Sequence, residues 1–505
     1  MNSINEAIWQ HAGQTPDKLC VTDGKRELSY AAAVSAITSL AGYLREQGVE
    51  RGGCVLLQNS QNAAFICTVL AVQLLGGVSI PVEKRVATER VREIVDQTGA
   101  VLCILARPAE DENIRTWKEI GSVMDAAAVG NAQPAVSEAE ARELAAQAAP
   151  EDLAEILFTT GTTGKSKGIE ITHGNITAVV ENVIDGVEMT SDTVEIIPVP
   201  LSHSHGLRRL YSHLYNGSSA VLTDGVIFVN RVFDLMERCQ VTAMDLVPAA
   251  LASLFQLSGE RIGEWKDRLE YIQLGSAPLP EGDKDHLCAL LPHTRLYNFY
   301  GTTESGCSCI LNFNDGVERR SCIGRPTVNA HFAFFNDEGQ IIEATPEHPG
   351  LLGCSGPMNM RGYYKSPELN RETFKQGYIV TQDLSYPGED GMIYLLGRQG
   401  DVITCGGNKI APDEIEEAAG GLEGIADCAC IATPDPILGE APVLYYTLAP
   451  HAGITWQQIA DHLKGILEAY KVPKEYQLID EIPRSYNGKI QRAKLRKMRE
   501  ESMHS

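Results

Sequence analysis

Apolar and polar positions along this chain alternate between two periods. After Leu28-Ser29-Tyr30 the pattern predicts a helix over 31–47 with Gly48 at its end, a strand over 54–57 and a helix over 64–75. A helix over 89–97 and a strand over 101–105 follow. The apolar run 63–82 is broken by Gln73 and by Gly76-Gly77 and ends near Pro81, so it reads as a buried helix capped at glycine and a short strand, not a membrane span. Residues 107–150 are rich in Ala and Glu with little apolar periodicity and read as a surface connection. Short apolar runs at 156–158, 194–199, 219–222, 271–274 and 296–299 read as strands. From 351 to 396 the spacing of Gly and aromatic residues reads as antiparallel, with Asp390-Gly391 as a hairpin turn. Past Gly397 the character changes to helix 412–419, strands 426–431 and 443–447, and helix 456–467. Strand–helix alternation predicts an α/β fold: a large N-terminal domain of several subdomains with mostly parallel sheets, 1–397, and a small α+β C-terminal domain, 398–505.

Composition narrows the partners. A chain of 505 residues exceeds what one core supports, and 66 Asp plus Glu against 43 Lys plus Arg leave a net charge of −23. That balance excludes a nucleic acid or an anionic membrane surface as partner of the whole body, so a phosphate ligand has to be held by local donors. Thirteen cysteines with no Cys-x-x-Cys pair, and an N-terminus without an apolar leader, point to a reduced, cytoplasmic protein.

The densest candidate chemistry is 159–168, Thr-Thr-Gly-Thr-Thr-Gly-Lys-Ser-Lys-Gly, behind the strand Ile156-Leu157-Phe158. Strand, loop and a helix starting near Thr172-His173-Gly174-Asn175 would form a nest of backbone N–H groups for a polyphosphate. A Walker A loop needs glycine at 159, where this chain has Thr, so it is not an ordinary P-loop. The bland reading, a surface turn, does not need five hydroxyl side chains among three glycines. Further on, Tyr300-Gly301-Thr302-Thr303-Glu304 follows a strand, and a carboxylate beside hydroxyls there can hold Mg²⁺ against a phosphate. Thr381-Gln382-Asp383 and Gly397-Arg398-Gln399-Gly400-Asp401 flank the hairpin, where a carboxylate and a guanidinium can grip ribose hydroxyls. Gly406-Gly407-Asn408-Lys409-Ile410 runs into Pro412, and Asn487-Gly488-Lys489 sits in a turn near the C-terminus. Alone, Lys489 would read as a solvated surface lysine.

In this order the motifs resemble the acyl-adenylate-forming superfamily of acyl-CoA synthetases, peptide-synthetase adenylation domains and luciferases, and most of all its stand-alone acyl- and aryl-CoA synthetases. The resemblance runs from Leu28 to Lys489. It implies that Thr159, Thr160, Gly161, Thr162, Thr163, Gly164 and Lys167 hold the phosphates of ATP. It places Gly275, Ser276 and Ala277 along the adenine and acyl pocket. Asn298, Phe299, Tyr300, Gly301 and Thr302 lie beside them, with Tyr300 against adenine. Thr303 would meet the α-phosphate, Glu304 the Mg²⁺, and Asp383 and Arg398 the ribose. Pro200-Leu201-Ser202-His203-Ser204-His205-Gly206 matches the Pro-Leu-x-His-x-x-Gly motif, placing His203 between carboxylate pocket and nucleotide. The alternatives for His203 and His205 are a pair on one strand face or a metal site, the latter without Cys or carboxylate at ligand spacing. Lys489 would bridge substrate carboxylate and α-phosphate, and Asp401 would be the hinge of a mobile C-terminal domain. The chain departs from the family at Gln382 (usually Gly), Gly400 (often an acid) and Ser166 (commonly Pro), none of them assigned to the chemistry.

The resemblance further implies activation of a carboxylic acid through an acyl-adenylate, then thioester formation with coenzyme A; an acyl carrier protein is the alternative acceptor. An α-amino acid substrate is disfavoured, since those relatives place aspartate where His203-Ser204 stand. Phe299 is expected to shorten the acyl pocket and favour an aryl or short-to-medium acyl acid. Arg208 and Arg209 read as solvated, with contact to a second acidic group on the substrate as the sharper alternative.

Overall fold

The computed structural model describes residues 1–107, 114, 117–119, 136–160, 166–484 and 489–503. A seven-stranded sheet is built around Cys54–Gln58, Val78–Val82 and Leu102–Leu105, paired in parallel in keeping with their mainly apolar runs. It closes on an antiparallel hairpin of β1 (Leu153–Thr160) and β2 (Ser166–Thr172), with Gly362–Tyr363 as edge strand. Helix α1 (His173–Val187) starts only after β2, where Thr172 accepts from Asn175 N and the Asn175 side chain accepts from Thr172 N.

A second, fifteen-stranded sheet has two halves. In one, Ser219–Leu222, β3 (Val194–Ile197), β4 (Ala243–Leu246), β5 (Tyr271–Leu274) and β6 (Arg295–Thr302) run parallel. In the other, β7 (Gly306–Asn312) turns back on β6, and strands including β8 (Tyr378–Pro387) and β9 (Ile393–Arg398) continue antiparallel. Mostly parallel sheets were therefore only half the picture: both sheets are mixed.

Helix α2 (Ser204–Asn216) lies with α1 between the two sheets. One core unites Leu157, Ile169 and Ile171 of the first sheet, Ile176 and Val180 of α1, Leu207, Leu210 and Leu214 of α2, and Ile197 and Leu222 of the second. A separate core behind the second sheet joins Ile196, Met244 and Ile272 to Val232, Leu251 and Leu287 of three outer helices. Residues 403–478 form a third sheet of five strands. Helices Pro412–Gly420 and Trp456–Lys464 and the final helix α3 (Arg492–Met503) pack on it through Ile415, Ile459 and Leu495. The expectation that 107–150 is surface connection fails at its end, where Glu138–Gln147 is a helix burying Ala141 and Ala145. Alanine is too small to mark a buried stripe by hydropathy alone.

Candidate active site

The Gly/Thr-rich loop sits at the tip of a hairpin. Thr159 pairs with Lys167 and Thr160 with Ser166, while Gly161, Thr162, Thr163 and Gly164 lie outside the described residues. The expected strand–loop–helix unit is thus corrected. Seven residues of β2 separate the loop from α1, so the loop does not run directly into a helix. Gly168 lets the strands close, since a Cβ there would meet Ile156 at 3.0 Å and Phe158 at 3.1 Å.

Lys167 Nζ stands 5.7 Å from the centre of the Tyr363 ring, and Tyr363 OH donates to Glu304 Oε1 at 2.8 Å. The segment that carries Tyr363 is tied to both motifs, since Met360 N donates to Glu304 O (2.7 Å) and Tyr364 N to Gly168 O (2.8 Å). Two motifs more than a hundred residues apart thus meet through a tyrosine that the sequence reading missed. Its only signal was an aromatic pair, Tyr363-Tyr364, without a motif of its own.

Glu304 and Thr303 occupy the turn between β6 and β7, both half-buried. Gly301 allows that turn: a Cβ would lie 1.8 Å from Gly306 O. One residue pair along, Tyr300 OH donates to Asp383 Oδ2 at 2.5 Å. Burial, then the Asp383 charge, push the phenol well above its ordinary value. Asp383 on β8 faces Arg398 on β9 in register, with Arg398 Nε 3.5 Å from Asp383 Oδ1. Lys489 reaches this corner. Its ammonium is held below the ordinary lysine value by desolvation and by Arg398, against the pull of Asp383. The structure therefore brings Tyr300, Asp383, Arg398 and Lys489 together.

Asp401 N donates to Arg398 O at 2.8 Å, and the Asp401 carboxylate pairs with Arg496 of α3, which also donates to Gly400 O at 2.8 Å. Asn298 buries its Oδ1 without a partner among the described residues. Phe299 is 7% exposed and packs with Val183, Val187 and Ile310; a Cβ on Gly186 would come 3.0 Å from its ring. Its ring is thus part of the apolar core against α1.

His203 and His205 are not on one strand face. They straddle the start of α2, with His203 at the N-cap, 3.9 Å from Glu83 Oε1, its imidazole lowered chiefly by burial. The chain can turn there because Gly206 sits on Pro200 O, which a Cβ would approach to 2.5 Å. His205 Nε2 lies 2.8 Å from Asp245 Oδ1 on β4, and its Nδ1 lies 2.8 Å from Ser276 Oγ. Gly275 and Ala277 flank that serine at the end of β5. No group of three His, Cys, Asp or Glu side chains suited to a metal occurs among the described residues.

Solvation of Arg208 and Arg209 is overturned outright: they are 3% and 1% exposed. Arg208 pairs with Glu155 of β1, and Arg209 Nη2 donates to both oxygens of Glu195 of β3 at 2.5 and 2.7 Å. His213 and Tyr271 also contact Glu195. The carboxylate partners sit as single acids inside apolar strand patterns, which is why the pairing was not legible.

With this geometry in hand, the class is clear. A family model described as AMP-binding enzyme matches residues 8–364, a second described as AMP-binding enzyme C-terminal domain matches 414–489, and the chain belongs to this family. Among its relatives, the 2-succinylbenzoate–CoA ligase of Bacillus subtilis (strain 168) is 27% identical over 504 residues, covering 97% of each chain. The indoleacetate–CoA ligase of Aromatoleum aromaticum is 26% identical over 510 residues, covering 98% of each. The fold matches o-succinylbenzoate CoA synthetase of Bacillus subtilis in complex with its acyl-adenylate, with TM-score 0.83, 23% identity and 97% of each chain covered. No helix among the described residues is long and apolar enough to cross a membrane.

Proposed function

We propose that this chain is an AMP-forming acid–thiol ligase that activates a small carboxylic acid with ATP and passes the acyl group to coenzyme A. The observation that carries the reading is the convergence, around the end of β6, of Lys167, Tyr363 and Glu304 with Tyr300, Asp383, Arg398 and Lys489. Asp383 offers acceptors for ribose hydroxyls while Tyr300 offers a ring face for adenine. Thr303, in the same turn as Glu304, faces the α-phosphate. Glu304 is an oxygen donor of the kind Mg²⁺ takes, and the ion when bound would neutralise phosphate charge. The loop hydroxyls and Lys167 take the charge of the departing pyrophosphate. Lys489 takes the charge developing where the substrate carboxylate meets the α-phosphorus, and positioning lowers most of the barrier.

Lys489 belongs to the C-terminal unit, 398–505, while Tyr300 and Glu304 belong to 1–397. Rotation about Asp401 would withdraw the lysine and admit the thiol for the second step, with His203 at the border between nucleotide and acid. An aryl or short acid is favoured. The ligases named above act on succinylbenzoate and indoleacetate. The test is pyrophosphate exchange over a panel of fatty, benzoic and dicarboxylic acids, repeated with coenzyme A and with a phosphopantetheinyl carrier protein. Exchange with an aryl or short acid and thioester formation with coenzyme A are expected. Absence of exchange with every acid would overturn the reading; transfer to the carrier alone would change the acceptor.

A further inference from the structure

The function above gives Ser276, His205 and Asp245 no part in bond making or breaking, yet they are arranged as a hydrolytic triad. Asp245 is fully buried, and its Oδ1 lies 2.8 Å from His205 Nε2. His205 Nδ1 lies 2.8 Å from Ser276 Oγ, and Ser276 is exposed. Nucleophile, base and orienting carboxylate thus follow one another at hydrogen-bond distance. Gln273 sets its amide 3.2 Å from the same Nε2. With its oxygen turned to that side it too accepts from Nε2–H, which gives the otherwise unpartnered Oε1 a partner. Both acceptors then fix the tautomer whose Nδ1 is free to receive the serine proton.

The backbone agrees. Ser276 has φ +71°, a region that side-chain-bearing residues seldom occupy and that recurs at active sites. It follows β5 directly, so its hydroxyl stands where the parallel strands end. A Cβ on its neighbour Gly275 would lie 3.6 Å from Phe299 O and 3.3 Å from the His205 ring. Tyr300 and the nucleotide corner are thus one residue away along β6. A serine that merely filled space needs neither this strain nor a histidine backed by a buried acid.

We infer that Ser276, His205 and Asp245 form a second catalytic centre, which hydrolyses the acyl-adenylate when no thiol arrives. This rests on the ligase reading for its substrate. Ser276 Oγ adds to the acyl carbonyl, and the bond from that carbon to the phosphate oxygen breaks. AMP leaves as an anion, and the serine proton passes to His205 Nδ1 and on to solvent. Water then attacks the serine ester, giving a proton to Nδ1, which returns it to Ser276 Oγ as the acid departs. The sum is acyl-adenylate plus water to acid plus AMP.

A fluorophosphonate probe on the full chain reads serine activation without knowledge of the acid. One adduct on Ser276, located by peptide mass, is expected; it should vanish in Ser276→Gly, which also suits the positive φ. His205→Gln should slow labelling about a hundredfold, the contribution of a general base. In parallel, supplied acyl-adenylate without coenzyme A should be hydrolysed by wild type at least tenfold faster than by Ser276→Gly. No adduct on Ser276 in a chain that catalyses pyrophosphate exchange would overturn the triad, as would equal hydrolysis by the two proteins. Labelling of Ser276 in a chain that exchanges pyrophosphate with no acid would uphold the triad and sink the ligase reading instead.

Discussion

Replacing Lys489 by alanine separates the two half-reactions. The side chain is exposed, so its loss should cost the fold less than about 0.5 kcal/mol. Its charge is different, because it stands with Asp383 and Arg398 at the nucleotide corner. Removing one donor aimed at developing charge costs about 10² to 10³ in rate, or about 3–4 kcal/mol. Pyrophosphate exchange should therefore fall by that factor in Lys489→Ala. Thioester formation from supplied acyl-adenylate and coenzyme A should stay within about threefold of wild type, since on the proposed rotation the lysine is withdrawn in that step. The pH profile adds a check. Desolvation and Arg398 hold the ammonium below its ordinary value, so adenylation should fall as pH rises through a value below the usual 10.4 or so. The alanine protein should lack that limb. Equal losses in both half-reactions, or a loss under tenfold in the first, would refute the placement of Lys489 at the reacting atoms.

Other perturbations read the scaffold. His173 is buried at the start of α1, and burial, only partly offset by Asp152, lowers its imidazole to about 4. The unfolded chain takes up this proton first, so about 3 kcal/mol of stability should be lost as pH falls from about 6.5 to 4. His173→Gln should flatten that part of the curve in chemical denaturation; an unchanged curve would contradict it. Arg209→Met leaves Glu195 buried with His213 and Tyr271 as its remaining partners, and should destabilise by about 3 kcal/mol. Glu195→Leu added to it should recover part of that loss, and a midpoint within experimental error of wild type would refute the argument. Arg496→Ala removes a half-buried pair to Asp401 worth up to about 1 kcal/mol, so adenylation should slow by up to about fivefold relative to thioester formation. A larger drop in thioester formation than in adenylation would refute a role for this pair in the first step.

Much of the frame was legible because it follows from periodicity. Strands Val78–Val82, Ser219–Leu222 and Tyr271–Leu274 fall where short, mainly apolar runs put them, and the Asp390-Gly391 turn does join two antiparallel strands. Asp383 and Arg398 face each other because that hairpin sets their register. What stayed hidden depends on contacts between distant segments. Tyr363 earns its place only when Gly362–Tyr363 adds to the edge of β2. Helix α2 was not anticipated because two arginines interrupt its apolar face, and only the burial of Glu155 and Glu195 turns those charges into core residues. The capping signal at Thr172 marked the start of α1 correctly, but the strand β2 between it and the loop was missed, because Ser166-Lys167-Gly168 was read as part of the loop.

The adjacent arginines of α2 have a mechanical consequence. Consecutive residues on a helix point about 100° apart, so a single dipeptide can reach both of the layers that flank it. Arg208 is pinned to the first sheet through Glu155 and Arg209 to the second through Glu195, which makes the helix a rivet through the interior. His203 and His205 stand at the head of that rivet. Sliding one sheet over the other would have to pull a charge off its counter-ion in a dry layer, a cost of several kcal/mol. Shear between the two sheets is thereby costly. Heating works in the same direction, since the penalty for keeping ions out of water shrinks as temperature rises. The rivet should hold its two plates in register up to temperatures at which apolar contacts alone would begin to creep.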